Sequence, residues 1–260
     1  MQAFSYSKPA SLAEAVRAAG ATEAKLLAGG QSLLSAMKFG LAAPRSLVDL
    51  SALADLKGIS VAGGILKIGA MTRHAEVAAS TEVAGAIPAL AALAGAIGDR
   101  QVRNRGTLGG SLANNDPAAD YPAAVLGLGA TIHTDKRTIA ADDFFKGLFQ
   151  TALADGEVIT AVSFPVPEKA CWHSLKQPAS RFALVGVFLS KSKLGVRVAV
   201  TGAGPGVFRV KALEAKLTAN WSAASCDGVK IDAAGLNTDL HGSAEYRAAL
   251  IPVLAGRAVV

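Results

Sequence analysis

Two glycine pairs, far apart in the sequence, interrupt the apolar runs of this chain, and hydroxyl residues accompany both. The first pair lies in LLAGGQSLLSAMKFG (26–40) and the second in RNRGTLGGSLANNDPAAD (103–120). Because glycine has no side chain and permits positive φ, consecutive backbone N–H groups in such a segment can converge on one anion. Where the segment leads into a helix, the free N–H groups and the dipole of the first turn add to that attraction. One pair alone is typical of an ordinary turn, but the two together favour a site for a dinucleotide diphosphate.

The composition is that of a globular protein and sets limits on its partners. With 260 residues, 51% of them hydrophobic and 18% charged, the chain is long enough for one large domain or for two to three smaller ones. The net charge of +6 comes from scattered lysines and arginines without an aromatic stacking run, which disfavours nucleic-acid binding. The longest uncharged stretch, between Glu82 and Asp99, contains Pro88 and is too short to span a membrane. Since the N-terminus lacks the pattern of a secretory signal, we expect a cytoplasmic protein, or one held at a membrane through a partner.

The N-terminal part alternates helix and strand signals. Ser11 and Glu14 have the spacing of a capping box ahead of an apolar helix, and Gly20 supplies the end of that helix. The predicted elements are a helix over 11–19, a strand over 25–29, a helix over 32–39 and a strand over 46–50. This order favours a small α/β subdomain with parallel strand pairing.

From residue 59 onward the pattern becomes typical of antiparallel strands. Gly63 and Gly64 lie between two short apolar runs, which indicates a hairpin. Helices are predicted over 71–80 and 87–98, and the stretch 99–120, rich in Gly, Asn and Asp, is expected to be a long functional connection. Further strands are predicted over 129–134, 137–140, 157–166, 171–176 and 196–202, followed by a closing helix over 243–259.

Several other signals carry less weight. The stretch TGAGPGVFRV (201–210) has Val207 where a dinucleotide-binding fingerprint needs its third glycine, so we interpret it as a turn between strands. Cys171 and Cys226 lack the spacing of a zinc or iron–sulfur site. The histidines lack the spacing of a metal site or a catalytic triad, and we expect each to be a surface or packed residue: His74, His133, His173 and His241. The arginines at 100, 103 and 105 either are solvated or approach the cofactor phosphates and an acidic partner.

Three motifs carry a resemblance to a known family. KLLAGGQSLLSAMKFG (25–40), IGAMTRHAEV (68–77) and IGDRQVRNRGTLGGSLANNDPAADYPAAVLGLGA (97–130) resemble, in the same order, the FAD-binding medium subunit of the molybdenum hydroxylases. That family includes aerobic carbon monoxide dehydrogenase and xanthine dehydrogenase, and the resemblance extends over nearly the full chain. It implies an α+β fold with a two-subdomain FAD-binding domain of the vanillyl-alcohol-oxidase (PCMH) type. The implied boundaries are an FAD-binding domain over 1–166, with subdomains 1–56 and 57–166, and a C-terminal domain over 167–260 with a three-stranded antiparallel sheet and helices.

The same resemblance implies how the chain binds FAD. Residues 27–33 would wrap one side of the diphosphate and residues 107–111 the other, while Asp120 would accept a hydrogen bond from the adenosine or ribityl part. Ile159 would contact the isoalloxazine ring, and Lys176 would lie beside its pyrimidine edge, where a positive charge raises the reduction potential. The implied cofactor-binding residues are Leu27, Ala28, Gly29, Gly30, Gln31, Ser32, Leu33, Gly106, Thr107, Leu108, Gly109, Gly110, Ser111, Asp120, Ile159 and Lys176. No catalytic residue and no metal ligand is assigned.

Some residues depart from the family's pattern. Gln31 stands where many relatives have histidine, which leaves the backbone contacts unaffected but removes a titrating group. Arg181 and Phe182 interrupt a stretch that is acidic in several relatives, although Phe182 also lies where some relatives place an aromatic ring against the flavin. These departures bear on how access to the flavin face is controlled.

The resemblance also implies partners. The chain would belong to a heterotrimer, assembled further as a dimer of heterotrimers. In it, a large subunit binds molybdopterin and oxidises the substrate, and a small subunit with two [2Fe-2S] clusters passes electrons to the FAD of this chain and on to an external acceptor. Two alternatives stay open: a self-sufficient FAD-dependent oxidase of the same fold, and a docking subunit that has lost flavin.

Overall fold

The N-terminal subdomain contains a parallel sheet in the order β1-β3-β2. The computed structural model describes residues 2–259, so residues 1 and 260, which begin and end the predicted domains, lie outside the described part. The elements of this subdomain are β1 (Ser5–Ser7), α1 (Leu12–Ala19), β2 (Ala24–Leu27), α2 (Leu33–Lys38) and β3 (Ser46–Asp49). The predicted parallel α/β arrangement is confirmed. Strand β1 was beyond prediction, because three exposed residues carry no pattern of burial.

Helix α1 begins as its capping residues predict. The Ser11 hydroxyl accepts a hydrogen bond from the N–H of Glu14 at 3.2 Å, and the Glu14 carboxylate accepts one from the N–H of Ala10 at 2.9 Å. Two otherwise unpaired N–H groups are thereby satisfied at the start of the helix. Gly20 ends the helix, also as predicted.

The second subdomain is built on an antiparallel sheet in the order β4-β5-β10-β6-β7, and the predicted hairpin at Gly63 and Gly64 joins β4 to β5. Helices and the short hairpin β8–β9 connect its strands. The elements are β4 (Ile59–Ala62), β5 (Ile65–Gly69), α3 (His74–Ala79), α4 (Thr81–Ala86), α5 (Pro88–Ala96), α6 (Arg100–Arg103), α7 (Leu108–Asn114), α8 (Tyr121–Gly127), β6 (Thr131–Thr134), β7 (Thr138–Ala140), α9 (Ala141–Phe144), β8 (Phe145–Gly147), β9 (Gln150–Thr151) and β10 (Ile159–Pro165). Tyr121, Phe144 and Phe164 are fully buried in its core.

The stretch 99–120, expected to be a long connection, instead contains the two short helices α6 and α7. Asp99 caps α6 by accepting a hydrogen bond from the N–H of Val102 at 2.8 Å. Thr107 caps α7 in the same way, by accepting one from the N–H of Gly110 at 3.1 Å. Since glycine is a poor helix former, α7 depends on tertiary packing for its stability. The capping residues were visible in the sequence, but the packing was not.

The region predicted as one helix over 71–80 also differs from the expectation. Its first residues are not helical: Met71 lies in a turn closed by a hydrogen bond from the Thr72 N–H to the Gly69 carbonyl, Arg73 is extended, and α3 begins only at His74. Ser80 ends α3 and caps the additional helix α4, accepting a hydrogen bond from the N–H of Val83 at 3.2 Å. Because this stretch is not helical, the Thr72 carbonyl is free to accept a hydrogen bond from the N–H of Leu108, at 3.1 Å.

The C-terminal part is an antiparallel sheet in the order β11-β12-β13-β14, packed against two helices. Its elements are β11 (Lys169–Lys176), β12 (Ala183–Ser192), β13 (Gly195–Thr201), β14 (Phe208–Arg209), α10 (Lys211–Ala219) and α11 (Ala244–Ala258). The three long strands match the predicted sheet, with β14 added at the edge, and the stretch 201–210 is the predicted turn. Among residues 2–259, no helix combines the length and the apolar character needed to cross a membrane.

Candidate functional site

A cleft of about 470 Å³ opens where the two glycine segments meet, and its volume is within the range usual for small-molecule sites. Its walls come from the β2–α2 connection, the region from α5 to α8, the start of β10 and the loop between β11 and β12. The residues assigned from the sequence that line it are Ala28, Gly29, Gly30, Gln31, Ser32, Leu33, Gly106, Thr107, Gly109, Gly110, Ser111, Asp120 and Ile159.

The first glycine segment, residues 28–32, connects β2 to α2 and provides backbone donors. Within the described residues, the N–H groups of Gly29, Gly30, Gln31 and Ser32 have no hydrogen-bond acceptor. Gly30 has a φ of +74°, which side-chain-bearing residues rarely adopt, and a Cβ atom there would lie 2.8 Å from the Leu34 side chain. The Ser32 hydroxyl makes no capping hydrogen bond to α2. The segment therefore offers several consecutive donors to an anion.

The second glycine segment, residues 106–111, already uses most of its backbone donors within the protein. The N–H of Gly109 donates to the carbonyl of Ala70 at 2.8 Å, and the N–H of Gly110 donates to the Thr107 hydroxyl at 3.1 Å. A Cβ atom on Gly109 would lie 2.6 Å from the Ala70 Cβ, so this glycine is needed for packing. The free backbone donors are therefore not shared equally by the two segments. The second segment provides a surface without side chains and the hydroxyl of Ser111, whereas the free N–H groups are concentrated in the first.

The two glycine segments are in direct contact. A Cβ atom on Gly29 would lie 2.7 Å from the Cα of Gly106, and one on Gly110 would lie 3.3 Å from the Cβ of Ala28. Each segment therefore excludes side chains from the other as well as from the cleft. The prediction that the two glycine segments share one cleft is confirmed.

The floor of the cleft contains buried polar groups with unused hydrogen-bonding capacity. Asp120 is 6% exposed, its Oδ1 has no partner, and burial raises the pKa of its carboxyl to about 7 despite the charge of Lys176. Behind the lining residues, the hydroxyl of Tyr121, which does not itself line the cleft, is buried without a partner, and burial raises its pKa. His74 is 5% exposed, and burial, with the charge of Arg103, lowers its pKa to about 4. Buried polar groups are normally paired, so this floor fits a ligand that brings its own donors and acceptors.

One wall of the cleft is held by an ion pair between a buried carboxylate and a half-exposed guanidinium. Glu157 lines the cleft two residues before Ile159, and its Oε1 lies 2.9 Å from the Nε of Arg137. It also accepts hydrogen bonds from the Thr134 hydroxyl and the Ala154 N–H, both at 2.8 Å. The hydrogen bond from Arg137 lowers the pKa of Glu157 to about 2. All of these contacts are within the protein, so Glu157 stabilises the wall and is not a free acid or base.

The loop between β11 and β12, residues 177–182, brings the C-terminal part to the edge of the cleft. Ser180, Arg181 and Phe182 line the cleft, and Phe182 is half exposed. The N–H of Arg181 donates to the carbonyl of Gln177 at 2.7 Å, which folds the loop into a turn. Two of the three residues that depart from the family's pattern, Arg181 and Phe182, are therefore at the mouth of the site.

Three residues assigned from the sequence do not line the cleft. Leu27 lies beneath it and its side chain supports Gly30, where a Cβ would approach the Leu27 Cδ1 to 3.4 Å. Leu108 is fully buried in the core of the second subdomain. The Nζ of Lys176 donates a hydrogen bond to the carbonyl of Ala96, at the end of α5.

The structure also adds lining residues that the sequence did not assign: Met71, His74, Gly98, Val102, Asn114, Asp116 and Glu157. His74 had a signal in the sequence, because it lies within one of the three motifs that carry the resemblance, but its spacing from the other histidines fits neither a metal site nor a catalytic triad. Among the described residues, no group of three or more His, Cys, Asp or Glu side chains is arranged to hold a metal ion.

Comparisons with known proteins show the family to which the chain belongs. The family described as the FAD binding domain in molybdopterin dehydrogenase matches residues 2–167. The chain is 36% identical to the nicotine 6-hydroxylase medium subunit of Paenarthrobacter nicotinovorans, covering 100% of this chain and 97% of that subunit. It is 33% identical to the carbon monoxide dehydrogenase medium chain of Hydrogenophaga pseudoflava, covering 98% and 96%.

A solved structure agrees over the same length. The quinoline 2-oxidoreductase of Pseudomonas putida 86 contains a chain that superposes with a TM-score of 0.89 at 32% identity, covering 99% of this chain and 96% of that one. The α+β fold and the family inferred from the sequence are thereby confirmed. This chain belongs to the family of FAD-binding domains in molybdopterin dehydrogenases, and it is an oxidoreductase flavoprotein.

Proposed function

We propose that this chain is the FAD-binding electron-transfer subunit of a heterotrimeric molybdenum hydroxylase. It would take electrons from [2Fe-2S] clusters of a small partner subunit and pass them to an external acceptor. The observation that carries the proposal is the cleft walled by both glycine segments. The chain also matches proteins named as medium subunits, and the match covers nearly the whole length of those proteins. A large partner subunit would bind molybdopterin and oxidise the substrate.

The residues of the cleft fit FAD. The free N–H groups from Gly29 to Ser32 suit the doubly charged diphosphate, and glycines on both sides allow it to approach the backbone. The unpartnered Oδ1 of Asp120 suits a hydroxyl or amine of the ribityl or adenosine part. Ile159 offers an apolar surface to the isoalloxazine ring. These four features supply the anion contacts, the polar contacts and the apolar contacts that one FAD molecule needs.

In this proposal the flavin supplies the redox chemistry, and the chain supplies binding, orientation and electrostatics. Lys176 remains our candidate for the residue beside the pyrimidine edge, although its ammonium group donates to the Ala96 carbonyl. Its positive charge acts on Asp120, lowering the pKa that burial raises, so Lys176 contributes to the electrostatics of the cleft from its present position. We also propose the domain division 1–166 and 167–260, with cytoplasmic assembly of the complex.

Co-purification tests the proposal. The chain is tagged in its native host, and the complex is analysed for metals and flavin. We expect one molybdenum and about four iron atoms per flavin, as one molybdopterin and two [2Fe-2S] clusters require. Flavin without these metals would favour the self-sufficient oxidase, above all if acid did not release the flavin. Absence of flavin from the intact complex would favour the docking subunit.

A further inference from the structure

His74 is an imidazole at the cleft that has no hydrogen bond to the protein. It is the first residue of α3 and is 5% exposed. Its Nδ1 is fully buried without a partner, whereas Nε2, which also has no protein partner among residues 2–259, remains accessible from the cleft that the residue lines. The nitrogens of an imidazole side chain that is nine-tenths buried are normally hydrogen-bonded, so the missing partner of Nε2, the nitrogen accessible from the cleft, points to a ligand.

The position of the ring identifies the part of the ligand that it faces. A Cβ atom on Gly106 would lie 2.7 Å from the Cδ2 of His74 and closer still to Nε2, so the imidazole edge rests on Gly106. Gly106 is also the residue against which Gly29 packs, at the junction of the two glycine segments. The free N–H groups that begin at Gly29 therefore belong to the same part of the cleft as the imidazole.

The surroundings of His74 keep the imidazole neutral in the free protein. Burial and the guanidinium of Arg103 lower its pKa to about 4, and the Tyr121 ring packs on it at a centroid distance of 5.3 Å. The carboxyl of Asp120, which precedes Tyr121 in the sequence, also lines the cleft. A neutral imidazole has one N–H group, and a cleft rich in free donors at this point indicates an anionic ligand, to which an N–H donates.

We propose that the Nε2–H of His74 donates a hydrogen bond to a phosphate oxygen of the FAD diphosphate, where the cofactor passes between the two glycine segments. This inference rests on the proposed function, since it requires FAD in the cleft. Most N–H groups of the second glycine segment donate within the protein and are not free for the diphosphate. The side chain of His74 would provide a donor on that side of the cleft instead.

Substitution by leucine separates this contact from a structural role. His74→Leu removes a buried nitrogen that has no protein partner, so the flavin-free protein keeps its thermal midpoint or gains stability. The dissociation constant for FAD, measured by titrating the deflavinated complex and following flavin fluorescence, rises about 10- to 100-fold, as expected for loss of a charge-assisted hydrogen bond. His74→Gln, whose amide can donate from a similar position, restores most of the affinity. His133→Leu is the matched control, because His133 bonds Ser163 on the sheet outside the cleft and its loss leaves FAD affinity unchanged.

The outcomes distinguish this inference from the proposed function. If wild-type protein binds FAD and His74→Leu binds it within about twofold, the inference is wrong and the function stands. If His74→Gln is as weak as His74→Leu, donation from Nε2 is also ruled out. Competition by ADP, which carries the diphosphate without the flavin, locates the contact. In His74→Leu we expect the affinity for ADP to fall by the same factor as the affinity for FAD. An unchanged affinity for ADP would show that His74 does not contact the diphosphate, and it would overturn the inference. Failure of the wild-type complex to bind FAD would refute the proposed function itself.

Discussion

Gly29 packs against Gly106 so closely that a Cβ atom on Gly29 would lie 2.7 Å from the Gly106 Cα, and closer still to the carbonyl oxygen of Arg105. Both neighbouring atoms belong to the backbone, which cannot rotate away as a side chain does. This contact joins the N-terminal subdomain to the region between α6 and α7, and it sets the width of the cleft at the position proposed for the diphosphate. The absence of a side chain at Gly29 is therefore a requirement of the assembled site.

Gly29→Ala tests this relationship. We expect the added methyl group to push the two glycine segments apart, to destabilise the protein by about 1–3 kcal/mol and to reduce the FAD content per chain. Gly85→Ala is the matched control, since Gly85 lies in α4 and a Cβ there meets nothing within 4 Å. That control should gain about 0.5–1 kcal/mol and keep its flavin. Thermal unfolding and flavin absorbance measure both effects, and a Gly29→Ala protein with full flavin and an unchanged midpoint would contradict the account.

Gly110→Val tests the second glycine segment. A Cβ atom at this position would lie 2.8 Å from the Thr107 hydroxyl and 3.3 Å from the Ala28 Cβ. The branched side chain of valine should disturb the cap of α7 and fill space beside the first segment, so we expect loss of FAD from the purified protein. Ser111→Ala, which removes only a hydroxyl, is the control and should weaken FAD binding by less than about tenfold. Full FAD occupancy in Gly110→Val would refute the placement of this segment against the cofactor.

The sequence was sufficient to predict features that depend on local chemistry. The capping residues of α1, the hairpin at Gly63 and Gly64, and the parallel pairing of the first subdomain follow from residue type and spacing. The sharing of one cleft by the two glycine segments was predicted from their composition. These features were accessible because each depends on a short stretch or on a chemical property that the residues carry wherever they lie.

Features that depend on tertiary contacts were not accessible. Gly109 looked like a phosphate-binding glycine, but its N–H bonds Ala70 and its Cα packs on the same residue. His74 looked like an ordinary packed histidine, because only the fold brings its ring to Gly106. Lys176 was assigned to the flavin edge by resemblance, and its hydrogen bond to Ala96, far away in sequence, could not be foreseen. In each case the deciding partner comes from another element.

Asp120→Asn should have opposite effects on stability and on cofactor binding. Burial raises the pKa of Asp120 to about 7 in the folded chain, above its ordinary value of 3.8. Between about pH 4 and pH 7 the carboxyl is therefore protonated in the folded state but ionised in the unfolded state. As the pH rises through this range, the free energy of unfolding of the wild type decreases. The amide of the variant has no such charge to bury. The flavin-free variant should be more stable than the wild type by about 2–4 kcal/mol at pH 8 and equally stable near pH 4.

Thermal unfolding of the flavin-free protein across this pH range measures the effect on stability, and FAD titration measures the effect on binding. We expect the variant to bind FAD about 5- to 50-fold more weakly at pH 8, where Asp120 is ionised, because an amide oxygen is a poorer acceptor than a carboxylate. Asp143→Asn, at an exposed position on α9, makes the same charge change outside the cleft and should alter neither quantity. A stability difference that did not depend on pH would show that Asp120 is not buried in the way described.

Arg137→Met should weaken the cleft wall that Glu157 supports. The substitution leaves a carboxylate whose side chain is fully buried without its main partner, and we expect a loss of about 2–4 kcal/mol at pH 7. Arg45→Met is the matched control, because the Arg45–Glu23 pair is exposed on both sides, and its loss should cost less than about 1 kcal/mol. Adding Glu157→Gln to Arg137→Met should restore part of the stability, since the remaining side chain is neutral.

The pH dependence of Arg137→Met gives an independent check on the role of the Glu157 charge. The pKa of Glu157, lowered from 4.5 to about 2, contributes stability above pH 4.5 that is lost as pH falls toward 2. Urea unfolding at pH 7 and pH 3 gives the free energy of unfolding of both proteins. The difference between wild type and Arg137→Met should be smaller at pH 3, where Glu157 of the variant is protonated. An equal loss at both pH values would mean that Arg137 acts through packing and not through the charge of Glu157.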